Sequence, residues 1–242
     1  MKTPFDFTRW SFKLSLCAGL MVAFAVLGYR LSVIDFQPAL LALVGSVLAG
    51  LLAILLGLIG TAKAIKTKQS EIASTLVGLT LAFLVVMPVV MTVLAGLGAP
   101  RIHDITTDLE QPPEFVVIKD LRTSTHNSLH RLEPENLAAL QKEGYPDLAS
   151  VLIHRPFDQA FEQVTALVKK RGWEVVAVSA EEGRIEATDA TPIMGFKDDI
   201  VIRVRAMGSR TRIDMRSASR VGESDLGVNA TRIRLFLNDL GK

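Results

Sequence analysis

The chain has 242 residues, 49% of them hydrophobic, with 27 lysines and arginines, 25 acidic residues and one cysteine. Residues 1–99 hold 7 basic and 3 acidic groups (+4), and residues 100–242 hold 20 and 22 (−2). Nucleic-acid binding would want a basic second half and is excluded as a partner class. The lone Cys17 leaves that half without a disulfide, a thiolate metal site or a thiol nucleophile.

Three apolar stretches come first: Leu14–Ile34, Ala39–Ala62 and Ile72–Ala99. Each reaches the roughly 20 residues that a helix needs to cross a bilayer core. Arg30 lies near the end of the first, where its side chain can snorkel to the interface. Pro88 removes one backbone hydrogen bond within the third. No small-x-small cleavage site follows Gly28, since Tyr29, Arg30 and Leu31 intervene, so the first stretch reads as an uncleaved anchor. The middle of every span is free of ionisable residues, which argues against a pump, channel or ion-coupled transporter. Ala42, Ser46, Ala49, Ala53, Gly57 and Thr61 form a stripe of small residues that lets helices approach closely. Packing within one three-helix unit accounts for the stripe more simply than a homodimer face.

Basic residues set an expected orientation. Lys2, Arg9 and Lys13 precede the first span, and Lys63, Lys66 and Lys68 separate the second from the third. The loop between spans one and two offers only Arg30 beside Asp35. The positive-inside rule then places the N-terminus in the cytoplasm and residues 100–242 outside it. The expected location is a bacterial inner membrane, multi-pass, with a periplasmic C-terminal domain. The basic collar suits anionic lipid headgroups, so membrane lipids are the first expected partner.

Beyond Pro100 the composition is that of an ordinary folded domain, and about 140 residues suffice for a single core. Residues 101–118 read as extended and proline-punctuated, with Pro112-Pro113 enforcing polyproline-like geometry. A short helix is expected from Pro134 to Gly144, ended by the turn Tyr145-Pro146-Asp147. Phe157, Ala160, Phe161, Val164, Leu167 and Val168 then recur at helical spacing, with Asp158 in the first turn, Lys169-Lys170-Arg171 in the last and Gly172 as the stop. Four strands follow: Trp173–Ala180, Arg184–Thr191, Ile200–Met207 and Arg212–Val221. Glu182-Gly183 and Gly208-Ser209 are tight turns, and Gly195–Asp199 makes the middle connection. A last amphipathic helix runs from about Asp225 to Leu240. The fold class is therefore α+β: three transmembrane helices, then a two-layer domain of α-β-β-β-β-α order with an antiparallel four-stranded sheet and helices on one face.

Alternation along the last two strands sorts their side chains. Ile200, Ile202, Val204 and Ala206 share a face, as do Ile213, Met215, Ser217 and Ser219. Arg203, Arg205, Arg212, Arg216 and Arg220 point the other way, with Glu186 and Thr188 nearby. If helices cover only the apolar face, five arginines converge on an open one. A planar guanidinium suits carboxylate and phosphate, so that face is a candidate anion or headgroup site. A solvated face laced by pairs with Asp214 or Glu186 explains the same pattern without a ligand. Ser224 and Asp225 extend the candidate set to the start of the last helix, where backbone amides can receive an anion. Capping of that helix by either residue is the simpler account.

Asp198-Asp199 lacks the spaced ligand set of a calcium loop and reads as a polar turn. His126 and His130 have no glutamate between them of the kind a zinc protease needs, and Asn127 and Ser128 favour a loop. No metal and no cofactor are expected. A nucleophile elbow, a P-loop and a dinucleotide glycine pattern are missing from the sequence. Asn229-Ala230-Thr231 matches a glycosylation sequon inside a predicted helix.

Several segments carry a family resemblance: the run from Pro100 to Asp108, Tyr145-Pro146-Asp147, Gly172-Trp173, Ile185–Thr188, Gly195–Asp199 and the long block from Asp214 to Asn229. Together they resemble the bacterial domain-of-unknown-function family 1499, over nearly all of residues 100–242. The resemblance implies a domain boundary and membrane segments before it, and it brings no activity with it. Motif positions it places on this chain include Arg216, Ser219, Arg220, Ser224, Asp225 and Asn229.

Three functions follow as expectations. The first is a non-catalytic envelope module binding an anionic small molecule, a lipid headgroup or an envelope protein through Arg203, Arg205, Arg216 and Arg220. The second is an envelope hydrolase with Asp198, Asp199 or Asp214 as acid–base groups, which needs a pocket joining a carboxylate to a second polar group. The third is a structural subunit of a membrane complex, favoured if the small-residue stripe faces lipid.

Overall fold

A computed structural model describes residues 6–67, 72–132 and 134–241. Lys2 and Lys68, two of the residues behind the expected orientation, lie outside the described residues. The chain divides into two compact units, Met1–Ala95 with Ile193–Gly195, and Gly96–Pro192 with Phe196–Lys242.

The first unit is built on α1 (Phe7–Arg30), α2 (Phe36–Thr67) and α3 (Ile72–Ala95), each long and apolar enough to cross a membrane. The chain is on this ground a membrane protein. α1 begins seven residues before the expected span because Asp6 caps it, its carboxylate accepting the Arg9 N–H at 2.9 Å. It stops at Arg30, where Ser32 takes φ 56° and the Val33 and Ile34 amides fold back onto the Gly28 carbonyl. α3 ends at Ala95, four residues early, with Gly98 at φ 88° beyond it. Ser46, Ala53 and Gly57 of the small-residue stripe are buried among the three helices. Ser11 donates to the Ala53 carbonyl at 2.8 Å, and a Cβ on Gly57 would meet Leu79 at 2.6 Å. The stripe seats helices within the unit, which removes the observation that would have favoured a structural-subunit role.

The second unit is α+β. Its sheet is wholly antiparallel and has six strands: β1 (Asp104–Thr106), β2 (Val151–Ile153), β3 (Glu174–Ser179), β4 (Arg184–Ala190), β5 (Lys197–Met207) and β6 (Arg210–Ser219). The last four form the expected meander. β1 and β2 are additional, lying end to end on the outer edge of β6, opposite Arg216–Ala218 and Thr211–Ile213. Each has three residues, too few for alternation to register.

β5 starts at Lys197, so Asp198 and Asp199 are strand residues and not the expected polar turn. They are tolerated there because each meets arginine on its own face of the sheet. Asp198 accepts from Arg232 at 2.6 Å, and Asp199 accepts from Arg122 and Arg220 at 2.8 Å each. Adjacent strand residues point to opposite faces, so the two carboxylates do not converge on a common ion.

Helices α4 (Leu137–Gly144), α5 (Phe157–Lys170) and α6 (Val228–Leu240) complete the domain. α5 and α6 pack on one face, burying Phe161, Val164, Val168, Ile233 and Phe236 against Ile185, Ile200, Ile202, Ile213 and Met215. Trp173 stacks on Phe236 with centroids 5.2 Å apart. α6 starts three residues later than expected, at Val228. Asp225 accepts the Gly227 and Asn229 amides at 2.9 and 2.8 Å, while Gly227 at φ 82° turns the chain into the helix. The sequon asparagine, Asn229, is fully buried and bonded to Ser217, Ser219 and the His103 carbonyl.

Candidate functional site

The second face of the sheet is not open. Residues 107–131 cross it as a strap that carries a short 3-10 turn, Ile118–Leu121. Phe115 and Ile118 of the strap pack on Val201 and Ala218 of the sheet, a second and smaller core. The expectation of five arginines on an uncovered surface is corrected here: Arg203, Arg212 and Arg216 donate to strap residues, and Arg220 shares Asp199 with Arg122 of the strap. Glu186, wholly buried, accepts the amides of Val116, Val117 and Ile118, the orphan donors at the start of the 3-10 turn.

Arg216 and Arg220 belong to two clasps. Arg216 and Arg131 share Asp104, and Arg216 further donates to the carbonyls of Pro113 and Leu129 and lies 5.0 Å over the Phe115 ring. Arg220 and Arg122 share Asp199, with Arg122 also reaching the carbonyls of Asn127 and Ala218. Burial alone would raise the Asp104 carboxyl, and the guanidiniums of Arg216 and Arg131 outweigh it and hold it below the usual range. These donors are occupied by the protein itself: Arg216 fastens the strap directly, and Arg220 does so through the Asp199 that it shares with Arg122.

Ser224 and Asp225 are likewise engaged locally. The Ser224 hydroxyl accepts the Leu226 amide at 3.3 Å, and the Asp225 carboxylate fills the amide-rich start of α6. Burial pushes the Asp225 carboxyl up. The helix start thus carries its own anion.

Arg203 and Arg205 meet the strap only near its start, at Asp108. Strand register sets Arg205 directly opposite Arg212, and Arg203 directly opposite Arg184. Like charges facing across a ladder are destabilising unless counter-charge is supplied. Arg184 is met by Glu182 and Glu186. Arg203, Arg205 and Arg212 are met by Asp214 at 2.9, 3.1 and 2.9 Å, and by Asp108 at 3.0, 3.7 and 2.8 Å. Ser150 bridges the Arg212 Nη2 and the Asp214 carboxylate. Burial of Asp214 is outweighed by the Ser150 hydroxyl and the arginines, and its carboxyl is held below the ordinary range.

Three guanidiniums on two carboxylates leave one positive charge in excess. Among the described residues, Arg205 donates to the protein only through Nη2, and its buried Nε has no partner. The side chains of Arg203, Arg205 and Arg212 are 20, 38 and 31% exposed, so the cluster opens to solvent at one side. Asp108 and Ser150 belong to this site and were not among the expected residues. The like-charge pair Arg205–Arg212 is the signal that could have called for them, once the register was known.

A cavity of about 900 Å³ lies on the strap, lined in part by Phe115, Arg122, His126, His130, Arg131 and Arg216. Its arginines are those already fastened to Asp104 and Asp199. Burial, with Arg220 and Arg122 nearby, presses the His126 imidazole below its usual value. The carboxylates considered for acid–base work are each tied to arginine: Asp198 to Arg232, Asp199 to Arg122 and Arg220, Asp214 to its three partners.

The architecture defines a class, a membrane protein whose three apolar helices precede an α+β domain with a strapped antiparallel sheet. The chain belongs to the family described as protein of unknown function (DUF1499), whose model it matches over residues 104–240. No curated protein matches the chain.

Proposed function

We propose that this chain is a non-catalytic binding module of the bacterial cell envelope. In this reading it is anchored by three helices in the inner membrane, with its α+β domain on the periplasmic side, and takes up an anionic ligand at Arg203, Arg205 and Arg212. The observation that carries the ligand class is the surplus guanidinium of that cluster, with the Arg205 Nε buried and unpartnered. A phosphate or carboxylate oxygen placed there completes the pairing that Asp108 and Asp214 leave unfinished. A small phosphorylated molecule and a lipid headgroup share this chemistry. The orientation is supported by Arg9 and Lys13 in the first two turns of α1 and by Lys63 and Lys66 near the end of α2.

Calorimetric titration of the detergent-solubilised full chain tests the reading, with inorganic phosphate in one arm and short-chain phosphatidylglycerol in the other. Heat from phosphate indicates a free anion, and heat from the lipid alone indicates a headgroup. Arg205→Gln should abolish either signal without lowering the unfolding temperature. Silence in both arms, or an unchanged signal in the variant, overturns the proposal. A C-terminal alkaline phosphatase fusion tests the orientation separately, since it is active only outside the cytoplasm.

A further inference from the structure

The two edges of the sheet are finished differently. β6 is covered along its outer side by β1 and β2, whereas among the described residues β3 has β4 as its one neighbour. An open edge exposes unpaired amides and carbonyls, and natural sheets guard it with charge, proline or a bulge. β3 reads Glu174-Val175-Val176-Ala177-Val178-Ser179, with a charge only at its first residue. That charge and a register shift between Val175 and Ala177 are the guards on this edge.

Beside this edge runs a groove of about 530 Å³. Val178, 47% exposed, and Ala180 form one wall, and Phe157 and Phe161 of α5 form the other. The two rings stack with centroids 5.7 Å apart, an aromatic ridge along the groove. Charges on its rim follow a direction. Asp158 and Glu162 lie toward the N-terminus of α5 and Lys169 lies in its last turn, all of them exposed.

That order is complementary to itself. A second α5 laid antiparallel, about a two-fold axis midway between Asp158 and Lys169, sets each Lys169 against the other copy's Asp158, two attractive pairs against the single like-charge approach of the two Glu162 side chains at the axis. A parallel arrangement sets acid on acid. Isologous pairing of this kind uses one patch twice and closes without leaving a further surface to propagate. We infer that two copies of this chain associate through the α5–β3 edge, with the α5 helices antiparallel. Phe157 and Val178 are buried between them, and Asp158–Lys169 pairs lie on the rim. Charge complementarity selects a second copy as the occupant, since the groove supplies both members of each pair.

The test uses the full chain in detergent with Cys17→Ser, so that no native thiol is present. Ala166→Cys, within one turn of the axis, should be joined to its counterpart by a short bis-maleimide crosslinker, and Glu223→Cys, exposed elsewhere, should not. Lys169→Glu removes two attractive pairs and adds repulsion, and should weaken association roughly tenfold. Adding Asp158→Lys to that variant should restore it. All these positions are exposed, so folding is not at stake. Crosslinking indifferent to Lys169→Glu, failure of the double exchange to rescue, or a monomeric mass by light scattering at micromolar concentration would each overturn the inference.

Discussion

Arg216 grips Asp104 with two parallel hydrogen bonds, Nε to Oδ1 at 3.0 Å and Nη2 to Oδ2 at 2.7 Å, and both side chains are almost wholly withdrawn from water. The pair joins the last strand of the sheet to the first and lies beneath the strap. Removing one partner from such a site strands a buried charge, which costs about 3–5 kcal/mol. Arg216→Ala should lower stability by that amount in denaturant titration. The exposed pair Arg234–Asp147 is a control: Asp147→Asn should change stability by less than about 1 kcal/mol.

Acid should unfasten the strap. Asp104 and Asp214 have carboxyl pKa values depressed by their arginines. A group depressed in the folded state contributes stability that is full above its unfolded value and lost as pH falls through the folded one. Stability should therefore decline below about pH 4, the unfolded carboxylate range. The decline should be shallower in Asp104→Asn, at the cost of lower stability at neutral pH. Asp225 carries the opposite sign: its raised value contributes stability below the unfolded range that is lost as pH rises through the folded one. Denaturation midpoints across acidic and neutral pH check both statements.

Gly183, in the turn between β3 and β4, has φ 61°, and a Cβ there would run into the Val204 carbonyl oxygen. A left-handed residue with a side chain costs about 1–2 kcal/mol by itself. Gly183→Ala should exceed that, because the clash is with backbone. Gly208, at φ 67° with open space around it, should show the conformational cost alone when changed to alanine. Comparing the two unfolding midpoints separates strain from contact.

In the membrane-spanning unit, Gly57→Leu should force α2 away from Leu79 and Ser11. Overpacking of this kind costs about 1–3 kcal/mol. The chain has two tryptophans, Trp10 in α1 and Trp173 in the other unit. With Trp173→Phe, thermal unfolding followed by Trp10 fluorescence reports on the helices alone.

Much of the architecture is legible in the sequence, because long-period signals survive without a structure. The three apolar helices, the α5 stripe from Phe157 to Val168 and the alternation of Ile200, Ile202 and Val204 against Arg203 and Arg205 all emerge where local pattern and burial agree. The misreadings share a cause. β1 and β2 are three residues long and exist only because β6 offers an edge to pair with. Asp198 and Asp199 resemble a turn until their arginines, on α6, the strap and the end of β6, are known. The strap itself has no period, being extended and rich in proline and polar residues, so nothing local shows that it lies on the sheet. The same ignorance turned strap fasteners into candidate ligands: Arg216 and Arg203 look alike in sequence, yet the strap buries Arg216 at Pro113 and Leu129 and meets Arg203 only through Asp108.

The placement of β1 and β2 bears on how the domain is made. β6, residues 210–219, holds both of them, and they precede it in the chain by roughly 100 and 60 residues. Neither can find its partner until the chain has been synthesised through β6. During translation the earliest domain segments must wait, unpaired, for the last strand to arrive. A nascent chain arrested before residue 210 should therefore hold the β3–β4 hairpin but leave residues 104–106 and 151–153 open to protease, and completion of β6 should protect both segments at once.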